Sequence, residues 1–189
     1  EGLEAAGPGG GFELLARTPN VSLVDGVLSA AEWSGGALVL PPEEGSFMFT
    51  VCPLDPLETH PLFIGIAPRD ADLGKVNFFV NGGGVLLCLG GNGLGAFGAS
   101  RRAAGPTFHA CGETSPAQLP LPSRGGVVGV HYHEEAGAVG HVHFTVGDAR
   151  GRGLAYARPR LRRPLPAGGW CPCLLLCAPG ARVRIRRLV

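Results

Sequence analysis

Apolar and polar residues alternate along much of the chain with a period of two, in short runs that stop at Gly, Pro, Asn or Asp. Arg182-Val183-Arg184-Ile185-Arg186 is the strictest case. It predicts a half-exposed strand, because successive strand side chains point to opposite faces. Phe63-Ile64-Gly65-Ile66-Ala67-Pro68 is more continuously apolar, as is the run from Val76 to Leu89, broken by Asn81-Gly82-Gly83-Gly84. These two predict the strands around which the others assemble, and Ser46 to Val51 predicts a central strand beside them. Upstream, Phe12 to Leu15, Val21 to Val24, Val27-Leu28 and Ala37 to Leu40 have the same character, with a turn at Asp25-Gly26. Downstream, Gly125 to His133 and His141 to Val146 predict two strands joined by 134–140. Leu154 to Ala157 and Trp170 to Cys177 follow. Thr107 to Pro122 is polar and punctuated by proline, and predicts loop with one short strand. No stretch holds an amphipathic helical period over three turns.

Composition sharpens this into an all-β expectation. The chain has 189 residues, the size of one domain, with Gly 32 and Pro 17, far above ordinary usage. Many short strands joined by tight turns need such residues. Residues 1–11 are Gly- and Ala-rich and predict a flexible leader, with one domain over 12–189. The start at Glu1 rather than Met suggests a piece of a longer protein. A formal net charge of +1 gives no global pull toward nucleic acid or an anionic membrane. No run is long enough to span a bilayer as a helix, and no signal peptide opens the chain.

Six cysteines raise disulfides or zinc. Cys171, Cys173 and Cys177 would share one face of a strand but stretch over roughly 20 Å. A single ion with Zn–S bonds of about 2.3 Å cannot collect all three. Reduced core thiols are the expectation, and with them an intracellular protein, cytoplasmic or nuclear.

Four histidines, His131, His133, His141 and His143, are the sharpest local feature. On two antiparallel strands one register sets His131 opposite His143 and His133 opposite His141. Such a face offers a metal ligand set, with Glu134 or Glu135 in reach, or a pH-sensitive surface. An outward polar face over inward Val130, Tyr132, Val142 and Phe144 is the simpler expectation, with no metal. Gly91-Asn92-Gly93-Leu94-Gly95-Ala96 imitates a dinucleotide fingerprint, but the amphipathic helix that must follow is missing. No cofactor is expected.

Binding candidates lie in the loops: Arg69, Asp70 and Asp72 after the first organising strand, then Arg101, Arg102, Phe108 and His109 on the long excursion. Planar guanidinium and aromatic groups anchor interfaces because they bury much area with few torsions. Trp33 and Trp170 read as core or rim packing. The basic run Arg158 to Arg163 has no interleaved aromatics and reads as solvated charge, so nucleic acid is disfavoured. No Gly-x-Ser-x-Gly elbow or His-Glu-x-x-His motif is present, and a non-enzymatic role is expected.

The order of several segments resembles the SPRY domain family. Gly65-Ile66-Ala67-Pro68 is similar to its Gly-aliphatic-Ala-Pro turn, followed by the Gly-rich segment Asn77 to Gly98 and by Val128-Gly129-Val130. Gly140 to Asp148 looks like the family's hairpin strand, and Gly153 to Ala157 like the strand after it. Cys171 to Leu176 and Val183 to Ile185 are similar to its last two. The resemblance covers roughly Val27 to Ile185. It implies a concanavalin-like jelly roll, an antiparallel β-sandwich with apolar residues inward and polar ones outward. It further implies a monomeric interaction module within a larger protein, whose loops at one end bind a protein or peptide. A substrate-selecting role in a ubiquitin ligase comes only by that analogy. The alternative is a lectin-like jelly roll that binds carbohydrate, for which Asp70, Asp72, Asn77 and Asn81 are candidate Ca²⁺ ligands.

Overall fold

The computed structural model describes residues 12–42, 45–74, 84–90, 105–110, 112–135, 139–150 and 152–189. The expected leader 1–11, the first half of the Val76 to Leu89 run with Asn77 and Asn81, the segment 91–104 with Arg101 and Arg102, and Cys111 lie outside them.

Among the described residues there is no helix, and the strands form two antiparallel sheets stacked as a sandwich. One sheet has the spatial order β1 (Leu14–Arg17), β4 (Gly35–Val39), β14 (Trp170–Leu176), β6 (Leu62–Pro68), β7 (Val85–Leu89), β8 (Thr107–Ala110), β9 (Glu113–Pro116). The other runs β12 (Ala155–Ala157), β11 (Val139–Gly147), β10 (Val127–Glu135), β5 (Phe47–Pro53), β15 (Arg182–Leu188), β3 (Val27–Ala30), β2 (Val21–Val24), and a short β13 (Leu165–Pro166) pairs with β11. The chain passes repeatedly from one sheet to the other, the jelly-roll manner of closing a sandwich.

Local chemistry explains the joints. Asp25 and Gly26 have φ of 49° and 72°, and they link β2 to β3 with Val24 paired to Val27. A two-residue hairpin of this kind needs left-handed conformations at both positions, which Asp and Gly supply at least cost. At Gly65 a Cβ would run into the carbonyl of Val85 and lie 2.8 Å from Leu86 Cα, so β6 and β7 approach in a way only glycine permits.

Between the sheets lies a continuous core. Ile64, Leu87 and Leu174 of the first sheet and Phe49, Val130 and Phe144 of the second belong to one buried cluster. The alternation expected of the second sheet holds: β10 buries Val128, Val130 and Tyr132 and turns His131 and His133 outward. The first sheet departs from it. Leu38, Phe63, Leu86, Cys88, Cys173 and Leu175 form another buried apolar cluster on its other side, with Ala71 and Leu73 packed against them. Both faces of β6, β7 and β14 are therefore buried, which is why those segments read as continuous apolar runs.

Cys52, Cys88, Cys171, Cys173 and Cys177 are free thiols. Burial pushes the Cys88 and Cys177 thiols up to about 12, so both stay protonated and inert. Trp33 departs from the packing expected of it and is 69% exposed. Trp170 is half-buried at the rim, its indole N–H donating to the Pro166 carbonyl at 2.9 Å.

Candidate functional site

The outer face of the eight-stranded sheet collects the chemistry. β10 and β11 pair without a register break from Val127–Gly147 to Glu135–Val139, which sets His131 opposite His143 and His133 opposite His141. His131 and His143 stack, with ring centroids 4.4 Å apart and planes 11° from parallel. Tyr156 of β12 tilts against His143 at 5.0 Å, and the residue is 51% exposed. The Arg158 guanidinium carbon lies 5.6 Å from that ring's centre, and Arg158 Nε donates to the Tyr156 hydroxyl. On the other flank Met48 of β5 pairs with His131.

Electrostatics keep this face uncharged at its centre. Burial holds the His131 imidazolium below its usual range. His143 is pushed down to about 4, first by burial, then by the neighbouring charge of His131 and Arg158. At neutral pH both imidazoles are neutral, each with one N–H donor and one ring-nitrogen acceptor.

The second histidine pair is engaged separately. Ser46 Oγ accepts the Glu134 N–H at 3.0 Å and sits 3.0 Å from His133 Nδ1, so its own hydroxyl proton is available to the ring. His141 Nε2 lies 3.6 Å from Glu135 on the exposed edge. Glu134 accepts the Tyr132 hydroxyl at 2.8 Å and the Gly168 N–H at 2.7 Å. Parallel stacked rings aim their in-plane lone pairs side by side, not at one point. Among the described residues no three His, Cys, Asp or Glu side chains are grouped to hold a metal ion.

The loop candidates scatter. Asp70 is exposed after β6, with Arg69 and Asp72 beside it, and the Arg69 N–H donates to the Gly169 carbonyl at 2.8 Å. The Arg69 side chain also hydrogen-bonds the Cys171 thiol, whose raised value comes from burial and is partly offset by that guanidinium. Phe108 is not a surface anchor. It is 3% exposed, lies between the sheets and packs on Phe144 at 5.2 Å. Thr107–Ala110 is a strand of a hairpin, and alternation turns Phe108 inward. His109 faces the opposite side, edge-on to Phe63 at 5.3 Å, with Thr107 and Thr114 hydroxyls at its two nitrogens, both 3.2 Å away. Burial lowers its basicity.

Sequence reasoning finds the four histidines but misses Tyr156 and Arg158 as their neighbours. The available signal is the outward parity of Tyr156 between Ala155 and Ala157.

In sequence, no family model and no curated protein matches the chain. In structure, it is similar to the carbohydrate-binding module CBM66 from Bacillus subtilis, at 8% identity and TM-score 0.41, over 94% of this chain and 93% of that one. It is similar to basic winged bean lectin with Tn-antigen at 13% identity and TM-score 0.49, over 94% and 90%. Lectin II from Ulex europaeus gives 12% identity and TM-score 0.49, over 94% and 91%. The architecture itself rests on the strand pairing described above.

Proposed function

We propose that the chain is a non-enzymatic carbohydrate-binding module that takes its ligand on the outer face of the eight-stranded sheet. One observation carries this reading: an exposed aromatic ring, Tyr156, lies beside a stacked pair of neutral imidazoles, His131 and His143. A sugar presents an apolar C–H face and a rim of hydroxyls, each both donor and acceptor. Tyr156 supplies the amphipathic surface for the first. Neutral imidazoles match the second, where imidazolium could only donate. Among the described residues neither stacked histidine is hydrogen-bonded to a carboxylate that would orient it as a general base, which favours binding over catalysis. No metal is invoked.

Glycan-panel binding with parallel NMR observation of the histidine ring protons tests the reading. A bound glycan shifts His131 and His143, and Tyr156→Ala weakens binding by about tenfold, the worth of one well-placed aromatic contact. No glycan bound, or binding indifferent to Tyr156, refutes it.

A second reading has its own observation. The Arg69–Gly169 hydrogen bond brings the Arg69–Asp72 turn beside Trp170 at one end of the sandwich. Arg and Trp together suit a protein or peptide partner. Pull-downs unchanged by Arg69→Glu with Asp70→Arg count against it.

A further inference from the structure

The strand pairings define a row of residues on the outer side of the sheet: Tyr156 opposite Thr145, Thr145 opposite Gly129, Gly129 opposite Thr50, and Thr50 opposite Arg187. Beside it runs a second row, His143, His131 and Met48, and Met48 exchanges backbone hydrogen bonds with Val189 at 2.7 and 2.9 Å. Arg158 stands at one end of this pair of rows, next to Tyr156 and close enough to disfavour protonation of His143. Arg187 stands at the other, with Arg184 further along β15, opposite Cys52. Four strand spacings of about 4.8 Å separate the ends, roughly 19 Å in all.

Among the described residues, the two rows are thus cationic at both ends and uncharged between them. Among the described residues no carboxylate is hydrogen-bonded or ion-paired to Arg184, Arg186 or Arg187, whereas Arg182 is held by Asp55 and Arg152 by Asp148. Glu135, which faces the histidine pair at the hairpin end, lies at the edge beside His141. Between the ends the row holds only small, uncharged residues, and the Thr145 hydroxyl lies where a Gly129 side chain would stand, covering the buried glycine.

Resting on the carbohydrate reading, we propose that the ligand is an anionic glycan chain, sulfated or bearing uronic acids. It lies across the strands with acidic groups on Arg158 and on Arg187–Arg184 and with its rings over Tyr156 and the histidine stack. Guanidinium groups pair with sulfate and carboxylate oxygens through parallel N–H donors. A monosaccharide touches one end only, so affinity requires a chain that spans the face. Single-stranded nucleic acid is also anionic, but the one exposed aromatic among the described residues of this face does not make the succession of platforms on which bases stack.

Binding is measured by calorimetry with five probes: heparin oligosaccharides of two and six sugars, a hyaluronan hexasaccharide carrying carboxylates alone, a neutral maltohexaose, and an oligonucleotide of matching charge. The longer heparin or hyaluronan chain is expected to bind at least about tenfold more tightly than either the disaccharide or maltohexaose. Arg158→Ala and Arg187→Ala are each expected to cost about threefold to fivefold, the range of an exposed ion pair. Raising salt to about 0.15 M, where screening acts within about 8 Å, weakens the anionic chains and leaves maltohexaose unchanged. Preference for heparin over hyaluronan assigns sulfate, and the reverse assigns carboxylate. Maltohexaose bound as tightly as the anionic chains overturns this proposal and leaves the carbohydrate reading standing. An oligonucleotide bound more tightly than every glycan overturns both, as does the binding of none of the five.

Discussion

His131 and His143, on neighbouring strands, stack face to face at 4.4 Å. A proton on one ring burdens the other, and burial disfavours both charged forms. His143 therefore falls from an ordinary value of 6.5 to about 4. A base whose folded value is depressed stabilises the fold while neutral. That contribution is whole above 6.5 and is lost as pH falls toward about 4, because the unfolded chain takes up the proton first. Denaturant unfolding across this window is expected to show declining stability, and His143→Gln flattens the decline. A variant with the same slope as the parent refutes the assignment.

Gly65 and Gly129 are both buried strand glycines but differ in what surrounds them. A methyl group at Gly65 meets the backbone of Val85 and Leu86, which cannot move without breaking the β6–β7 ladder. At Gly129 it meets the Thr145 hydroxyl, a rotatable group. Gly65→Ala is expected to cost stability at or beyond the upper end of about 1–3 kcal/mol, and Gly129→Ala clearly less. Equal losses in urea titrations contradict the difference in surroundings.

Asp55 accepts the Arg182 backbone N–H at 2.8 Å and two guanidinium contacts at 2.8 and 3.2 Å. It ties the loop between β5 and β6 to the start of β15. The hydrogen bond from the Arg182 side chain holds its carboxyl below the usual range, partly opposed by burial. A depressed acid stabilises the fold above its unfolded value near 3.8 and loses that effect as pH falls through the lower folded one. Asp55→Asn is expected to lower the melting temperature by a few degrees at neutral pH, with the gap closing in strong acid. A gap that persists there means the charge is not the cause.

Phe108 packs between the sheets, so Phe108→Ala is expected to destabilise by about 3–5 kcal/mol, as ring deletions in cores do. Arg69→Ala, on the turn after β6, changes stability far less. Thermal melts of the two variants side by side separate a core residue from a surface anchor.

The fold is legible wherever period-two alternation meets clear turn chemistry. Asp25-Gly26 locates the β2–β3 hairpin, and the two histidine-bearing strands fall into the expected register because their alternate residues are strongly apolar. Phe108 is misplaced because four residues between prolines and glycines carry too little alternation to reveal a strand. The expected polar outer layer on the seven-stranded sheet fails for a different reason. Side chains such as Phe63 and Cys173 face away from the core yet are buried in a second cluster, and a local pattern cannot say what covers a face. The candidate site is half legible. Its histidines are close in sequence and Tyr156 carries an outward parity beside them, but Met48 and Arg187 join them through pairings across long stretches of chain, which no local pattern records.

The unbroken β10–β11 ladder also divides labour within single strands. Tyr132 and His131 are adjacent in the chain yet serve opposite sides of the layer. Substitutions at the odd positions can therefore rewrite the chemistry of the surface while the even positions go on holding the molecule together. A single inserted or deleted residue in either strand would exchange the two sets at once, so variation here is expected by replacement and never by change of length.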